Sequence, residues 1–278
     1  MPALRTVSLA LLLLAPAVAL AQPKLAQHET EHYVLLTDLD QDEVPQVTAW
    51  LEAMHSTYRR VFRGDPVHRL PKAKVRVFKL EADFQAHDPE MSDARGYYDR
   101  EAHELVSYRG ESVLDLCSLL SHEGVHQFLN EFANKDGEGF PGWFEEGLAE
   151  YFCTTTRTRD GKRLARQRSP AYVRVIREAL PAGKLWSLAK LWSYDVDSLP
   201  AEEAETFYAH ASLLVEFLVR EQPKTVQALY RHKREGAANG ALMVKVFGKD
   251  AAKHAQLEAR WREWLERLPE PAEESEGE

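Results

Sequence analysis

His122-Glu123-Gly124-Val125-His126 is the stretch that decides how this chain is read. It has the form H-E-x-x-H. Apolar Val113, Leu114, Leu116, Leu119 and Leu120 run up to it, and Phe128 and Leu129 follow, so the spacing predicts a helix from about Ser112 to Phe132. Positions four apart share a helix face, which stacks His122 and His126 one turn apart. Two neutral imidazoles so placed can both reach one Zn²⁺ at roughly 2.0–2.1 Å. Glu123, beside the first, is the candidate general base that holds the attacking water. A zinc site with two histidines needs a third protein ligand and one open position. Seventeen residues after His126 begins Trp143-Phe144-Glu145-Glu146-Gly147-Leu148-Ala149-Glu150-Tyr151-Phe152, predicted as a second helix from about Trp143 to Thr155. From there Glu146 can supply the third ligand. Glu150, one turn on, can take the free N–H of a ligand histidine and fix its tautomer, with His122 the natural partner.

These two segments together resemble the gluzincin metallopeptidases, the thermolysin-like and related aminopeptidase-like group. The match is specific over about residues 110–155 and looser over 30–110 and 200–220. More narrowly, the His-Glu-Gly-x-His-Gln form resembles a family of uncharacterised secreted bacterial proteins with a peptidase-like domain. The resemblance implies a zincin-like fold, with the Glu before the Gly, here Glu146, as third zinc ligand. It implies that a Tyr or His of the C-terminal helical lobe stabilises the oxyanion. Tyr208 and His210 are the candidates in Phe207-Tyr208-Ala209-His210. Tyr208 is favoured, and two positions apart they cannot share a helix face. It also implies that an edge strand, 96–99 or 104–108, pairs with extended substrate.

Two cysteines flank the pair of helices: Cys117 five residues before His122 and Cys153 seven after Glu146. Antiparallel helices meeting at one ion would bring them together, so a Cys117–Cys153 disulfide is expected, against the alternative of two buried thiols.

The start of the chain reads as a secretory signal peptide, residues 1–21. Arg5 is its positive region, Leu9 to Leu20 its apolar core and Ala19-Leu20-Ala21 its cleavage site. No Cys follows the core to take a lipid anchor, and the alternative is an uncleaved N-terminal anchor. No other stretch is long enough to span a membrane. The expected location is therefore secreted or periplasmic. A net charge of −9 lacks the basic footprint of a general nucleic-acid binder.

In chain order, Tyr33–Thr37 reads as a strand and Glu43–Phe62 as a helix ended by Gly64-Asp65-Pro66. Val75–Leu80 reads as a strand, and 96–99 with 104–108 as a hairpin. Gly137-x-Gly139-x-x-Gly142 lacks a βαβ setting and reads as a connector. Thr156 to Ser169 carries Arg157, Arg159, Lys162, Arg163, Arg166 and Arg168 against Asp160 alone. That run is either a solvated loop or a patch that attracts anions. Helices are expected at 170–180, 185–194, 202–220, 222–233, 239–247 and 250–267, and an acidic disordered tail at 269–278.

The fold expected is α+β: an N-terminal sheet lobe over 22–110, then a central pair of zinc helices and an all-helical lobe over 111–268. The function expected is zinc-dependent hydrolysis of peptide bonds in a peptide or protein substrate. The alternatives are a zinc amidase acting on cell-envelope material and a non-catalytic peptidase-fold scaffold.

Overall fold

A computed structural model describes residues 23–62, 72–134 and 137–269. The signal-peptide reading, the Gly64-Asp65-Pro66 stop and nearly all of the acidic tail lie outside these residues.

The architecture is α+β. Five strands form one sheet in the order β1-β2-β3-β5-β4: β1 (Ala26–Glu29), β2 (Tyr33–Thr37), β3 (Ala73–Phe78), β4 (Gly96–Asp99) and β5 (Glu104–Tyr108). The buried positions of β2 alternate, as a strand with one face on a core requires. Pairs β2–β3 and β3–β5 are parallel, and the outer pairs β1–β2 and β4–β5 antiparallel. A parallel pair needs a crossover, and helix α1 (Val44–Phe62) provides it between β2 and β3. The hairpin predicted at 96–108 is present. Of its two strands β4 is the edge, while β5 is flanked on both sides. A short helix α2 (Glu81–His87), which has too few turns for a periodic signal, precedes it.

Helix α3 (Val113–Phe132) begins where Ser112 caps it, the Ser112 hydroxyl accepting from the Asp115 amide at 3.1 Å. Helix α4 (Gly142–Cys153) follows the glycine connector. Both Gly137 and Gly139 there have φ of +76°, a left-handed backbone that favours glycine. The basic run is folded rather than looped: β6 (Thr155–Arg157) and β7 (Leu164–Arg166) make a small antiparallel hairpin. Its β-forming residues are diluted by arginines, which hides the alternation that marks a strand. The C-terminal half is helical: α5 (Pro170–Ala179), α6 (Leu188–Trp192), α7 (Ala201–Glu221), α8 (Pro223–Arg234), α9 (Asn239–Phe247) and α10 (Ala251–Glu266). No helix among the described residues is long and apolar enough to cross a membrane.

Two glycines position the central helices. A side-chain carbon on Gly124 would lie 2.6 Å from Met54 Cε, and one on Gly147 would lie 2.6 Å from the Ala211 carbonyl oxygen. Gly124 therefore lets α1 lie against α3, and Gly147 lets the backbone of α7 come up to α4. Trp50 and Tyr58 of α1 fix the first contact, donating to Ser121 Oγ at 2.8 Å and to the Ser121 carbonyl at 2.7 Å. One hydrophobic cluster runs from Tyr33 of the sheet through Leu120, Phe144 and Leu214 to Leu268, so the helix pair sits inside the core.

Candidate metal centre

Helices α3 and α4 each bring one face to a shared point. His122 Nε2 lies 3.7 Å from one oxygen of Glu146, and His126 Nε2 lies 3.7 Å from the other. The three ligand atoms lie within 4.8 Å of one another. Donors held roughly 2.0–2.1 Å from a tetrahedral ion are about 3.4 Å apart. The two imidazole–carboxylate separations are a few tenths of an ångström longer than that, so the group is near the spacing such an ion needs. The three side chains are between 16 % and 18 % exposed, so the point is sheltered yet open on one side.

The far nitrogens are held as well. Glu150 Oε1 lies 3.2 Å from His122 Nδ1, and Tyr172 donates to its other oxygen at 2.8 Å. His126 Nδ1 donates to Glu145 Oε1 at 3.0 Å, and the Phe140 amide donates to Glu145 Oε2 at 3.1 Å. A carboxylate behind each Nδ1 favours the proton there. Burial lowers both imidazoles, and these carboxylates raise them against it; a cation bound between the Nε2 atoms would take the place of the second proton. Sequence reading missed Glu145 and Tyr172. Glu145 had a signal: each ligand histidine needs a partner, and only one had been assigned. Tyr172 comes from a distant helix and had none.

Four carboxylates, Glu123, Glu145, Glu146 and Glu150, surround two imidazoles. Burial raises the Glu123 carboxyl; His122 and His126 oppose this and Glu146 and Glu150 add to it, so its pKa ends above the usual range. Burial also works against the charged forms of Glu145 and Glu150, but their histidine partners outweigh it and hold both below the usual range. This excess of negative charge in a sheltered place favours a bound cation. The donors, two imidazole nitrogens and a carboxylate, suit Zn²⁺ and related divalent ions.

Tyr208, on α7, lies near enough to the site to feel its charges. Its hydroxyl is pushed up to about 12 by partial burial first, then by the charges of Glu146, Glu150 and Glu123. His210 does not face it. Its ring is fully buried, with Nδ1 donating to the Thr206 carbonyl at 2.7 Å and Nε2 accepting from the Trp186 amide at 3.0 Å. Both nitrogens are occupied, so His210 is a core residue and Tyr208 is the remaining candidate.

The expected disulfide is absent: Cys117 and Cys153 are both free. Cys153 sits at the end of α4 against the ring of His122, within 4.8 Å of the His122 and Glu150 ligand atoms. Cys117 is five residues from His122, about 140° around the helix, and is buried on another side of α3. The two thiols therefore face different neighbours.

Beside His126, a cavity of about 360 Å³ is lined by Arg100, Glu138, Phe140, Glu145, Glu146 and Tyr194, among others. It gives the ligand point an approach from solvent beside Arg100, in the turn that follows edge strand β4.

Fold and site together define an α+β protein built on an H-E-x-x-H helix pair, with a residue group fit for a divalent cation. A DUF1570 domain, described as a protein of unknown function, matches residues 117–237, which hold every residue of the candidate centre. No curated protein matches the chain.

Proposed function

We propose that this chain is a gluzincin-type zinc metallopeptidase that hydrolyses peptide bonds in the cleft beside His126. One observation carries the reading above others: both Nε2 atoms face the two oxygens of Glu146 at 3.7 Å while carboxylates hold both Nδ1 atoms. His122, His126 and Glu146 would hold the ion. When bound there, zinc acidifies a water and polarises a carbonyl. Glu123 accepts the proton of the attacking water and passes it to the leaving amine. Burial raises its pKa, with Glu146 and Glu150 adding to the rise, which strengthens the carboxylate as a proton acceptor. Glu145 and Glu150 keep the two imidazoles in one tautomer and one orientation. Tyr208 stays protonated far above neutral pH, so its hydroxyl is a standing donor for the oxygen on which charge develops. The proposal includes export to a secreted or periplasmic location, resting on Arg5, the apolar Leu9–Leu20 and Ala19-Leu20-Ala21.

The test pairs metal analysis with turnover of a mixed peptide library. Wild-type protein purified without added zinc should carry about one zinc per chain. Glu123→Gln should keep the metal and lose on the order of 10²–10⁴-fold in rate. His126→Ala should lose both. Undiminished turnover in Glu123→Gln would remove the mechanism. Cleavage of envelope polymers but not of peptides would turn the reading to an amidase. A chain that binds zinc and cleaves neither would be a scaffold.

A further inference from the structure

A second cavity shares no lining residue with the one beside His126 and lies between the β6–β7 hairpin, α1, the C-terminal end of α4 and the junction of α7 with α8. Its volume is about 400 Å³, within the range of small-ligand sites. Arg60, Arg163 and Arg166 line it, and among the described residues no carboxylate does. Val61, Val219 and Val226 provide an apolar wall. A cavity with three cations, no anion and an apolar side is unusual in a chain of net charge −9.

Arg166 is the informative residue. Its side chain is 6 % exposed. Its terminal nitrogens contact Thr154, Gln167 and Ser212, while the buried Nε has no hydrogen-bond partner. The nearest acid is Glu216, fully buried, which three arginines share. Arg168 and Arg220 approach it at 2.8 Å, whereas Arg166 stays 3.8 Å away. Both close contacts fall on Glu216 Oε1, so Arg166 has only a loose ion pair with Oε2, and burial lowers the pKa of Arg166 while Glu216 opposes this. Arg60 and Arg163 have no acidic partner among the described residues. A buried guanidinium with an idle N–H is costly unless something satisfies it.

We propose that this cavity binds a small organic anion, with a phosphate or carboxylate head on Arg60, Arg163 and Arg166 and an apolar body against Val61, Val219 and Val226. The basic run over 156–169 is then neither a solvated loop nor a steering patch, since one part of it frames a ligand site. The proposal does not rest on what the metal centre does.

Calorimetric titration of the full chain with inorganic phosphate, hexyl phosphate and hexanoate tests this. Saturable binding of at least one organic anion is expected, with hexyl phosphate at least tenfold tighter than inorganic phosphate. Preference for hexyl phosphate or for hexanoate tells a phosphate from a carboxylate head. Arg163→Glu should weaken binding tenfold or more and Arg163→Lys should restore most of it. Arg163 is partly exposed, so the fold should persist, with circular dichroism as the control. Stripping the protein with a chelator should leave affinity unchanged. Any of three results overturns the proposal: no saturable binding of any probe, affinity unmoved by Arg163→Glu, or affinity lost with the metal.

Discussion

Each imidazole of the candidate centre has a carboxylate behind it, and the two carboxylates come from one helix. Glu145 and Glu150 are five apart on α4, while His122 and His126 are four apart on α3. Between them Glu146 turns to both Nε2 atoms, so a single turn and a half of α4 supplies one ligand and two supports. If this reading is correct, Glu145→Gln leaves the ligand atoms in place but weakens the hold on His126. Zinc affinity should drop about 10–100-fold, read by competition with a chromogenic chelator. Glu146→Gln should lose far more. Tyr208 is tested by a different signature. Tyr208→Phe keeps the ring and removes only the donor, so zinc content should hold while kcat falls about 10²–10³-fold and KM changes little. A fall confined to KM would make Tyr208 a substrate contact instead.

The elements hold these residues by close approach. Gly124 sits inside the H-E-x-x-H segment for a reason unrelated to chemistry: α1 crosses there, and Met54 occupies the space a side chain would take. Gly147, next to Glu146, meets the backbone of α7. The obstacles differ in kind. Met54 Cε is the end of a flexible side chain and can swing away, whereas the Ala211 carbonyl can move only with its helix. Gly147→Ala should therefore destabilise by about 1–3 kcal/mol and push α7 off α4. Gly124→Ala should cost clearly less, because a better helix former partly offsets the crowding. Urea denaturation of both variants checks the order, and equal losses would contradict this account of the α4–α7 contact. Tyr208 rides on α7, so Gly147→Ala should also lower activity without lowering zinc content.

Across the whole molecule, burial of ionisable groups makes stability depend on pH in opposing ways. Burial lowers His210 to about 4, from an ordinary value of 6.5. The unfolded chain then takes up a proton between those values and the folded chain does not, so this contribution is complete above pH 6.5 and is lost as pH falls toward 4. Burial raises Glu131 from 4.5 to about 7. Here the folded chain keeps the proton and the unfolded chain releases it, so the contribution is complete below pH 4.5 and is lost as pH rises to 7. Two variants separate the effects. The stability gap between wild type and His210→Gln should narrow as pH falls from 6.5 to 4, by about 1 kcal/mol per unit. Glu131→Gln should gain on wild type as pH rises from 4.5 to 7. Unfolding by urea at several pH values measures both, and parallel curves would refute either shift.

The sequence by itself determined the α+β class, the helix pair and three converging residues, because helical periodicity and an i, i+4 spacing are local and survive any tertiary arrangement. It also pointed to Glu150 as a partner for an imidazole, and Glu150 lies 3.2 Å from His122 Nδ1, since a histidine offered to a metal has a predictable need at its second nitrogen. Edge strand β4 was legible as half of a hairpin, but its place at the edge was not, because the order of strands depends on pairings distant in sequence. Tertiary structure alone decided the rest. It sent His210 into the core and left Tyr208 within reach of the site's charges, a choice made by packing against Trp186 rather than by residue type. It parted Cys117 from Cys153, because two cysteines near one pair of helices can still lie on different faces. It folded the basic run into a hairpin around Arg166, where burial and charge balance depend on Glu216, fifty residues further along the chain.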